Sequence, residues 1–215
     1  MIKREQLLLY AVTDRRWAVR QTLYEQVEQA LLGGVTCVQL REKQMEETDF
    51  LREATQICSL CHAHGVPLLV NDNLDVALKS GADGVHLGQG DGSVSTARMR
   101  AGADFIIGVT AKTVEQARRA EAEGADYLGV GAVFGSPTKQ NAIRITREQL
   151  RDICNAVAIP AVAIGGIGSD NMEALAGCGM AGVALVSAVF GARDIRAAAS
   201  ELKKLTRRVI EVDGN

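Results

Sequence analysis

The sequence predicts an α/β protein, a (β/α)8 (TIM) barrel in which residues 1–215 form a single domain. Short apolar, β-branched runs alternate eight times with segments of helical period, and one helix-to-strand turn recurs five times. Near-continuous apolar strands between helices are typical of a parallel sheet that is covered on both faces. Eight such units in a chain of this length favour closure into one barrel.

The eight predicted strands are short, as buried strands are. In chain order they are residues 7–12, 37–40, 67–70, 84–87, 105–109, 127–133, 160–164 and 182–186. The recurrent turn consists of a glycine that ends a helix and a short link to the next strand. It occurs at Gly34, Gly81, Gly102, Gly124 and Gly179.

Three positions indicate where helices begin. Thr113 and Thr146 are each followed three residues later by glutamine, which is the pattern of a capping box. After the seventh strand, glycines precede a further helix that we expect to begin near Ser169.

The segment CSLCHAH contains C-x-x-C-H, which matches the pattern of a haem-attachment site and offers zinc ligands. Its neighbourhood has helical period, however, and we interpret it as an ordinary helix with small buried thiols. The residues on the buried face would be Phe50, Ala54, Ile57, Cys58 and Cys61.

The composition argues against several classes of function. The net charge is −2 and Lys and Arg are not clustered, so we expect no nucleic-acid or membrane surface. No apolar run approaches the length of a membrane span. The first residues lack a secretory signal, and five scattered cysteines suit reduced thiols, so we expect a cytoplasmic protein.

In such barrels the chemistry lies at the carboxyl ends of the strands. The second strand ends in Gln39, Arg41 and Lys43, which alternate and would share one face. Two cations there suit a multiply charged anion, with Arg as a fork and Lys as a point charge. The alternative is a cluster of salt bridges with Glu42 or Glu46.

The third and fourth strands, which are neighbours, lead to Asp72 and Asp91. Two carboxylates in one mouth repel each other unless they share a proton or a cation. Mg²⁺ prefers one or two carboxylates together with phosphate oxygens, so we predict one Mg²⁺ bridging a diphosphate. On its own, Asp91 would be an ordinary residue of a glycine-rich turn.

The remaining strand ends predict a second anion-binding region. The sixth leads to a loop with Ser136, Thr138 and Lys139, and the seventh and eighth end at glycines and at Ser187. Loops after the last two strands commonly bind phosphate in this architecture, although glycines also make plain turns. A diphosphate beside a monophosphate suggests a transferase. No nucleophile set is evident, and we expect His86 to be a hydrogen-bonded core residue.

Taken together, QLREK, LLVNDNLDVAL, GADGVHLGQ-x-D, GADYLGVG-x-VF-x-x-PTK, IPAVAIGGI and VALVSA resemble thiamin-phosphate synthase from about residue 8 to 190. That family joins 4-amino-2-methyl-5-(diphosphooxymethyl)pyrimidine to a thiazole phosphate, which is carboxylated in many bacteria. The resemblance implies an Mg²⁺-dependent transferase of thiamin biosynthesis. The products would be thiamin phosphate and diphosphate, with CO₂ when the thiazole is carboxylated.

The resemblance also implies a role for each site residue. Pyrimidine diphosphate would be bound by Gln39, Leu40, Arg41, Glu42, Lys43, Asn71, Thr110 and Lys139, of which Arg41, Lys43 and Lys139 would be catalytic. Thiazole phosphate would be bound by Ser136, Pro137, Thr138, Gly166, Val186 and Ser187. One Mg²⁺ per active site would be bound by Asp72 and Asp91.

Two positions depart from the family pattern, with Thr110 where serine is usual and Ser136 where threonine is frequent. Both keep a hydroxyl. The alternatives are a thiazole tautomerase of similar fold, which needs no metal, and a non-catalytic thiazole-phosphate binding protein. The sequence leaves open the oligomeric state, a homo-oligomer included, and the preference for the carboxylated thiazole.

Overall fold

Eight parallel strands close into one barrel in chain order, with β1 paired to both β2 and β8. The computed structural model describes residues 2–135 and 144–211. The strands are Leu9–Val12 (β1), Cys37–Leu40 (β2), Leu68–Asn71 (β3), Gly84–Leu87 (β4), Ile106–Ala111 (β5), Tyr127–Gly131 (β6), Ala161–Ile164 (β7) and Gly182–Leu185 (β8). The predicted barrel is therefore confirmed, with each predicted strand found in place.

The helices surround the barrel. They are Leu23–Leu32 (α1), Glu47–Ala63 (α2), Leu74–Ser80 (α3), Val94–Ala101 (α4), Val114–Ala122 (α5), Arg147–Asn155 (α6), Ser187–Phe190 (α7) and Ile195–Glu211 (α8). Three short 3-10 helices add Arg4–Leu7, Arg15–Trp17 and Met172–Leu175. Within the described ranges, no helix is both long and apolar enough to cross a membrane.

The prediction of a helix that begins near Ser169 is wrong. Between β7 and β8 the chain forms only the 3-10 helix Met172–Leu175. The side chain of Asn171 accepts from the Gly168 amide at 2.9 Å and donates to the Gly166 carbonyl at 2.9 Å, so it fixes these backbone groups in a loop. Gly177 then has a φ of 81°, a left-handed conformation that does not continue a helix.

The local signals for helix ends hold well. All five glycines of the recurrent turn have positive φ, between 76° at Gly179 and 97° at Gly34 and Gly124. Thr146 and Gln149 form both halves of a capping box at α6. Thr113 accepts from the Gln116 amide at 3.1 Å, but the Gln116 side chain accepts from Lys112 rather than from Thr113. That second box is therefore only half formed.

The thiol-containing helix is also confirmed. The segment with the C-x-x-C-H pattern lies in α2, and all five residues of its predicted apolar face are buried. Burial raises the pKa of Cys61 to about 12, and it also raises the pKa of Cys58. Both side chains are consequently neutral thiols that pack against the barrel.

Side chains alternate between two cores along every strand. The outer core, between the barrel and its helices, contains residues such as Leu40, Val70 and Val85. The interior core is smaller and includes Tyr10 and Tyr127, which are both fully buried. Near the carboxyl ends the interior also carries polar side chains, among them Gln39, Asn71, His86 and Thr110, which line the site described below.

Candidate functional site

A pocket of about 510 Å³ opens at the carboxyl ends of the strands, and we call it the mouth pocket. Its described lining brings together seven of the predicted site residues. These are Gln39, Arg41, Asn71, Thr110, Gly166, Val186 and Ser187. They come from the carboxyl ends of five strands, β2, β3, β5, β7 and β8, or from the segments that follow them, which is where catalytic residues gather in this architecture.

One side of the mouth pocket is cationic and carries amide groups. Gln39 lies in β2 and Arg41 directly follows that strand, so the two side chains are two positions apart and share a face. The Arg41 backbone amide donates to the Thr13 hydroxyl at 2.9 Å. Asn71, at the end of β3, is 8% exposed, and its Nδ2 makes no well-formed hydrogen bond within the described protein. Because its hydrogen bonding is incomplete, this amide can donate to a ligand in the mouth pocket.

The opposite side is made of glycine and backbone groups. Gly165 and Gly166 follow β7 with φ of 106° and 64°, which are conformations that favour glycine. A Cβ on Gly166 would also overlap the carbonyl of Gly135 in the loop after β6. Val186 and Ser187 follow β8 and complete this side.

Asp72 and Asp91 lie beside the mouth pocket, in a separate side cleft between α3 and α4. The two carboxyl groups contact each other, and Lys43 forms an ion pair with Asp72. The alternative pairing of Lys43 with Glu42 or Glu46 is not what the structure has. Asp91 Oδ2 also accepts from the Gly88 amide at 2.9 Å, as a turn residue would.

The pKa values of the two carboxyl groups shift in opposite directions. Burial raises the pKa of Asp72, but the contacts with Lys43 and Asp91 outweigh burial and hold that pKa below its usual value. Burial and the neighbouring Asp72 carboxylate raise the pKa of Asp91, because both disfavour a second negative charge. Oxygen ligands that repel each other and already attract an ammonium are suited to a hard divalent cation such as Mg²⁺.

Two predicted pyrimidine-diphosphate residues point away from the mouth pocket. The Leu40 side chain is fully buried in the outer core, so only its backbone faces the site. The Glu42 carboxylate turns outward and forms an ion pair with Arg15, which also binds Glu53. The alternation of side chains along β2 places both of them on the face opposite Gln39 and Arg41.

Four predicted site residues follow β6 in the sequence. Ser136, Pro137, Thr138 and Lys139 lie outside the described residues. Their predicted roles toward thiazole phosphate and diphosphate stay predictions.

Sequence reasoning missed several residues that line the mouth pocket. Tyr10, Thr13 and Asp14 come from β1 and its end, and Lys112 follows β5. The position of Thr13 and Asp14 after the first apolar run was the available signal, because every strand end in such a barrel reaches the mouth. His86, expected in the core, is 8% exposed and hydrogen-bonded through both ring nitrogens, to Tyr127 and Thr110.

Comparison of the sequence with known proteins gives matches to one family. The chain matches the family described as thiamine monophosphate synthase over residues 9–189. It is 44% identical to the thiamine-phosphate synthase of Ruminiclostridium cellulolyticum over 197 residues, which cover 92% of this chain and 94% of that protein. It is 46% identical to thiamine-phosphate synthase 2 of Streptococcus pneumoniae over 205 residues, which cover 95% and 98% of the two chains.

Solved structures agree with the sequence relatives. Thiamine phosphate pyrophosphorylase from Pyrococcus furiosus superposes with a TM-score of 0.89 at 40% identity, covering 96% of this chain and 98% of that one. A 3-hexulose-6-phosphate synthase, at 18% identity and a TM-score of 0.67, shares the barrel fold alone. The chain therefore belongs to the thiamine monophosphate synthase family and is a transferase of thiamine biosynthesis.

Proposed function

We propose that this transferase moves the 4-amino-2-methylpyrimidin-5-ylmethyl group from its diphosphate to thiazole phosphate or 2-carboxythiazole phosphate. The products are thiamin phosphate and diphosphate, with CO₂ from the carboxylated substrate. The observation that carries the proposal is a single mouth pocket with a cationic side and a glycine side. Two phosphorylated substrates that react with each other need two anion sites facing one space.

The cationic side would bind the pyrimidine diphosphate. Arg41 offers a forked donor to diphosphate oxygens, and the Asn71 amide and the Thr110 hydroxyl add neutral donors. Lys43 and Lys139 would complete the set as point charges. Interactions of Arg41, Lys43 and Lys139 that strengthen as diphosphate departs would stabilise the transition state.

The glycine side would bind the thiazole phosphate. Gly166, Val186 and Ser187 line this side, and their backbone N–H groups would donate to the phosphate. Ser136, Pro137 and Thr138, from the loop after β6, would contribute further groups on this side. A neutral site here separates the monophosphate from the cations that the diphosphate needs.

Asp72 and Asp91 would hold one Mg²⁺, whose positive charge would offset the charge that diphosphate gains on leaving. Their mutual contact and the pairing of Lys43 with Asp72 support this assignment. Lys43 lies between the carboxylate pair and the end of β2, so it can bind Asp72 or a diphosphate oxygen.

The chemistry requires no protein nucleophile. The C–O bond to diphosphate breaks, the aminopyrimidine delocalises the positive charge of its methylene carbon, and the thiazole nitrogen then forms the new C–N bond. The residues of the pocket bind, orient and shield this reaction. His86 is held by hydrogen bonds at both ring nitrogens, which suits a positioning role better than that of a base.

We further propose that the protein works in the cytoplasm on small molecules, without nucleic-acid or membrane partners. The net charge of −2 and the absence of basic clusters in the sequence support this.

The decisive experiment supplies pyrimidine diphosphate, thiazole phosphate and Mg²⁺ and measures diphosphate release together with thiamin phosphate. We expect both products in equal amounts and none in excess EDTA. Rearrangement of the thiazole phosphate without diphosphate release would instead indicate the tautomerase. Binding of thiazole phosphate without any turnover would indicate the non-catalytic alternative.

In the same assay, Arg41→Met is expected to lower kcat by about a hundredfold, since one oxyanion-type contact contributes ~3 kcal/mol. Arg52→Met on α2 is the matched control, because its exposed side chain pairs only with Asp49 among the described ion pairs. An Arg41→Met enzyme with unchanged kcat and only a higher KM would show uniform binding instead.

A further inference from the structure

The barrel interior below the mouth pocket contains a continuous chain of hydrogen bonds. Gln39 Nε2 donates to Tyr10 Oη at 2.6 Å, and Tyr10 Oη lies 2.8 Å from Tyr127 Oη. Tyr127 Oη lies 2.8 Å from His86 Nδ1, and His86 Nε2 lies 3.0 Å from Thr110 Oγ1. Five strands thus contribute one member each, and both ends of the chain reach the mouth pocket.

One polarity of this hydrogen-bond network lets both phenols donate and accept within it. Each phenol has one proton to donate. Gln39 donates to Tyr10, so each phenol both accepts and donates within the network when Tyr10 donates to Tyr127 and Tyr127 donates to His86 Nδ1. A neutral histidine that accepts at Nδ1 carries its proton on Nε2, from which it donates to Thr110 Oγ1. The hydroxyl proton of Thr110 then remains free to point elsewhere.

The interior is shaped around these rings. Tyr10 and Tyr127 are fully buried, and burial raises the pKa of both phenols, so both keep their protons. A Cβ on Gly108 would overlap the Tyr127 ring, and one on Gly129 would lie 2.9 Å from His86 Cε1. Gly108 and Gly129 are therefore interior strand positions at which any side chain would displace the hydrogen-bonded rings.

We infer that Tyr10, Tyr127 and His86 are positioning residues that set the hydrogen-bonding roles of Gln39 and Thr110 in the mouth pocket. Gln39, with its Nε2 held from below, presents its carbonyl oxygen as an acceptor. Thr110, which accepts from His86, presents its O–H as a donor. The opposite polarity would present an amide N–H at one end and a threonine oxygen without a free proton at the other.

These roles match an aminopyrimidine diphosphate, and in this respect the inference rests on the proposed function. An amino group is a donor and needs the acceptor at Gln39, whereas a diphosphate oxygen needs the donor at Thr110. If every hydrogen bond of the network ran in the opposite direction, a donor would face the amino group and an acceptor would face the diphosphate oxygen. Both contacts would then leave buried polar atoms unpaired, and such unpaired atoms discriminate strongly between ligands.

The first test is spectroscopic and needs no substrate. The sequence has 3 histidines, and His62 and His64 are at the end of α2, so ¹⁵N-histidine spectra are simple to assign with His86→Gln. We expect His86 in the ligand-free enzyme as the neutral tautomer with its proton on Nε2. The Nδ1–H tautomer, or an even mixture of the two, would overturn the inference while leaving the proposed reaction untouched.

The second test breaks the chain at its centre with Tyr127→Phe, and Tyr10→Phe serves the same purpose if that variant does not fold. The tautomer preference of His86 should be lost, and KM for the pyrimidine diphosphate should rise about fivefold to tenfold, as for one lost hydrogen bond. KM for thiazole phosphate should stay within twofold of the wild-type value, which a merely structural role would not require.

Tyr24→Phe is the matched control, since Tyr24 is the remaining tyrosine and lies exposed on α1. It should change neither the histidine spectrum nor either KM. A folded Tyr127→Phe enzyme with an unchanged KM for the pyrimidine diphosphate would contradict the inference. Equal losses for both substrates would contradict it as well, because they would indicate a general loosening of the barrel.

Discussion

Asp72 has a φ of 64°, and within the described ranges it is the sole non-glycine residue with positive φ. Aspartate enters this left-handed region more readily than most residues, because its side chain is short and polar. The turn directs Asp72 into the side cleft, whereas the preceding Asn71 faces the mouth pocket. One residue therefore supplies both an unusual backbone conformation and a charge.

The metal assignment is best tested by Asp72→Asn and Asp91→Asn, since asparagine tolerates the same backbone conformation and removes only the charge. We expect each change to lower kcat by roughly a hundredfold and to abolish the response to added Mg²⁺. Mg²⁺ titration by calorimetry checks binding separately from turnover. Asp75→Asn is the control, because Asp75 lines the same cleft but pairs with Arg100. Full activity of either site variant in EDTA would rule out the shared ion.

Lys43 gives a second prediction at this scale. Its ammonium forms an ion pair with the Asp72 carboxylate, so Lys43 competes with a metal ion for that carboxylate when no diphosphate is bound. Lys43→Met should therefore bind Mg²⁺ up to about fivefold more tightly without substrates, as expected for one partly exposed ion pair. The same variant should have a higher KM for the pyrimidine diphosphate. Lys79→Met, which removes an exposed ion pair with Glu47, is the control for the change in net charge. Weaker Mg²⁺ binding by Lys43→Met would show that Lys43 does not compete with the metal ion for Asp72.

Among the elements, the segment after β7 departs most from the regular pattern. Elsewhere in the described chain, an α-helix of at least seven residues follows each strand from β2 to β6. After β7, Gly165 and Gly166 turn the backbone toward the mouth pocket, and Asn171 ties the loop to itself. The element that forms the glycine side of the site is thus held by one side chain and a close backbone contact.

Gly166→Ala tests this element. Its Cβ would meet the Gly135 carbonyl and would also impose strain at a positive φ, so the variant should lose ~1–2 kcal/mol of stability. Binding of thiazole phosphate should weaken, while calorimetric binding of pyrimidine diphosphate with Mg²⁺ should be nearly unchanged.

The matched control is Gly65→Ala. Gly65 has a φ of 67°, but nothing lies within 4 Å of a Cβ placed there, and it follows α2 at the other end of the barrel. It should cost similar backbone strain and leave both affinities intact. If Gly166→Ala weakened both ligands equally while remaining folded, the division of the pocket into two sides would be incorrect.

Considered as a whole, the molecule separates stability from activity along the barrel axis. The mouth carries the charged and polar groups of the site, and the opposite end carries helix-to-strand turns that are closed by structural contacts. Arg98 is the centre of one such set, with bonds to the carbonyls of Gly102, Phe105 and Gly124 and an ion pair with Asp126 at 2.5 Å. Conservative changes at this end should affect folding but not catalysis.

Arg98→Met should lower the free energy of unfolding by ~3 kcal/mol, because it leaves the nearly buried Asp126 carboxylate without its cation. The urea midpoint should fall accordingly, whereas kcat in the folded range should stay at the wild-type value. Arg100→Met, on the same helix, removes an exposed pair and should cost less than ~1 kcal/mol. Equal costs for the two variants would show that the carbonyl contacts and burial of Arg98 add nothing.

Local sequence determined the barrel and the neighbourhood of the site. Periodic apolar runs and the five turn glycines predicted the strands, and convergence of strand ends predicted that Gln39, Asn71, Thr110 and Ser187 would face one space. The tertiary structure alone decided which groups pair: Lys43 with Asp72, Glu42 with Arg15, and Tyr10 with Tyr127 across 117 positions. It also decided that the segment between β7 and β8 forms a loop and a short 3-10 helix, Met172–Leu175, instead of the helix predicted to begin near Ser169. Periodicity fixes the face on which a side chain lies, but its partner comes from a distant strand and depends on how all eight strands are staggered around the closed barrel.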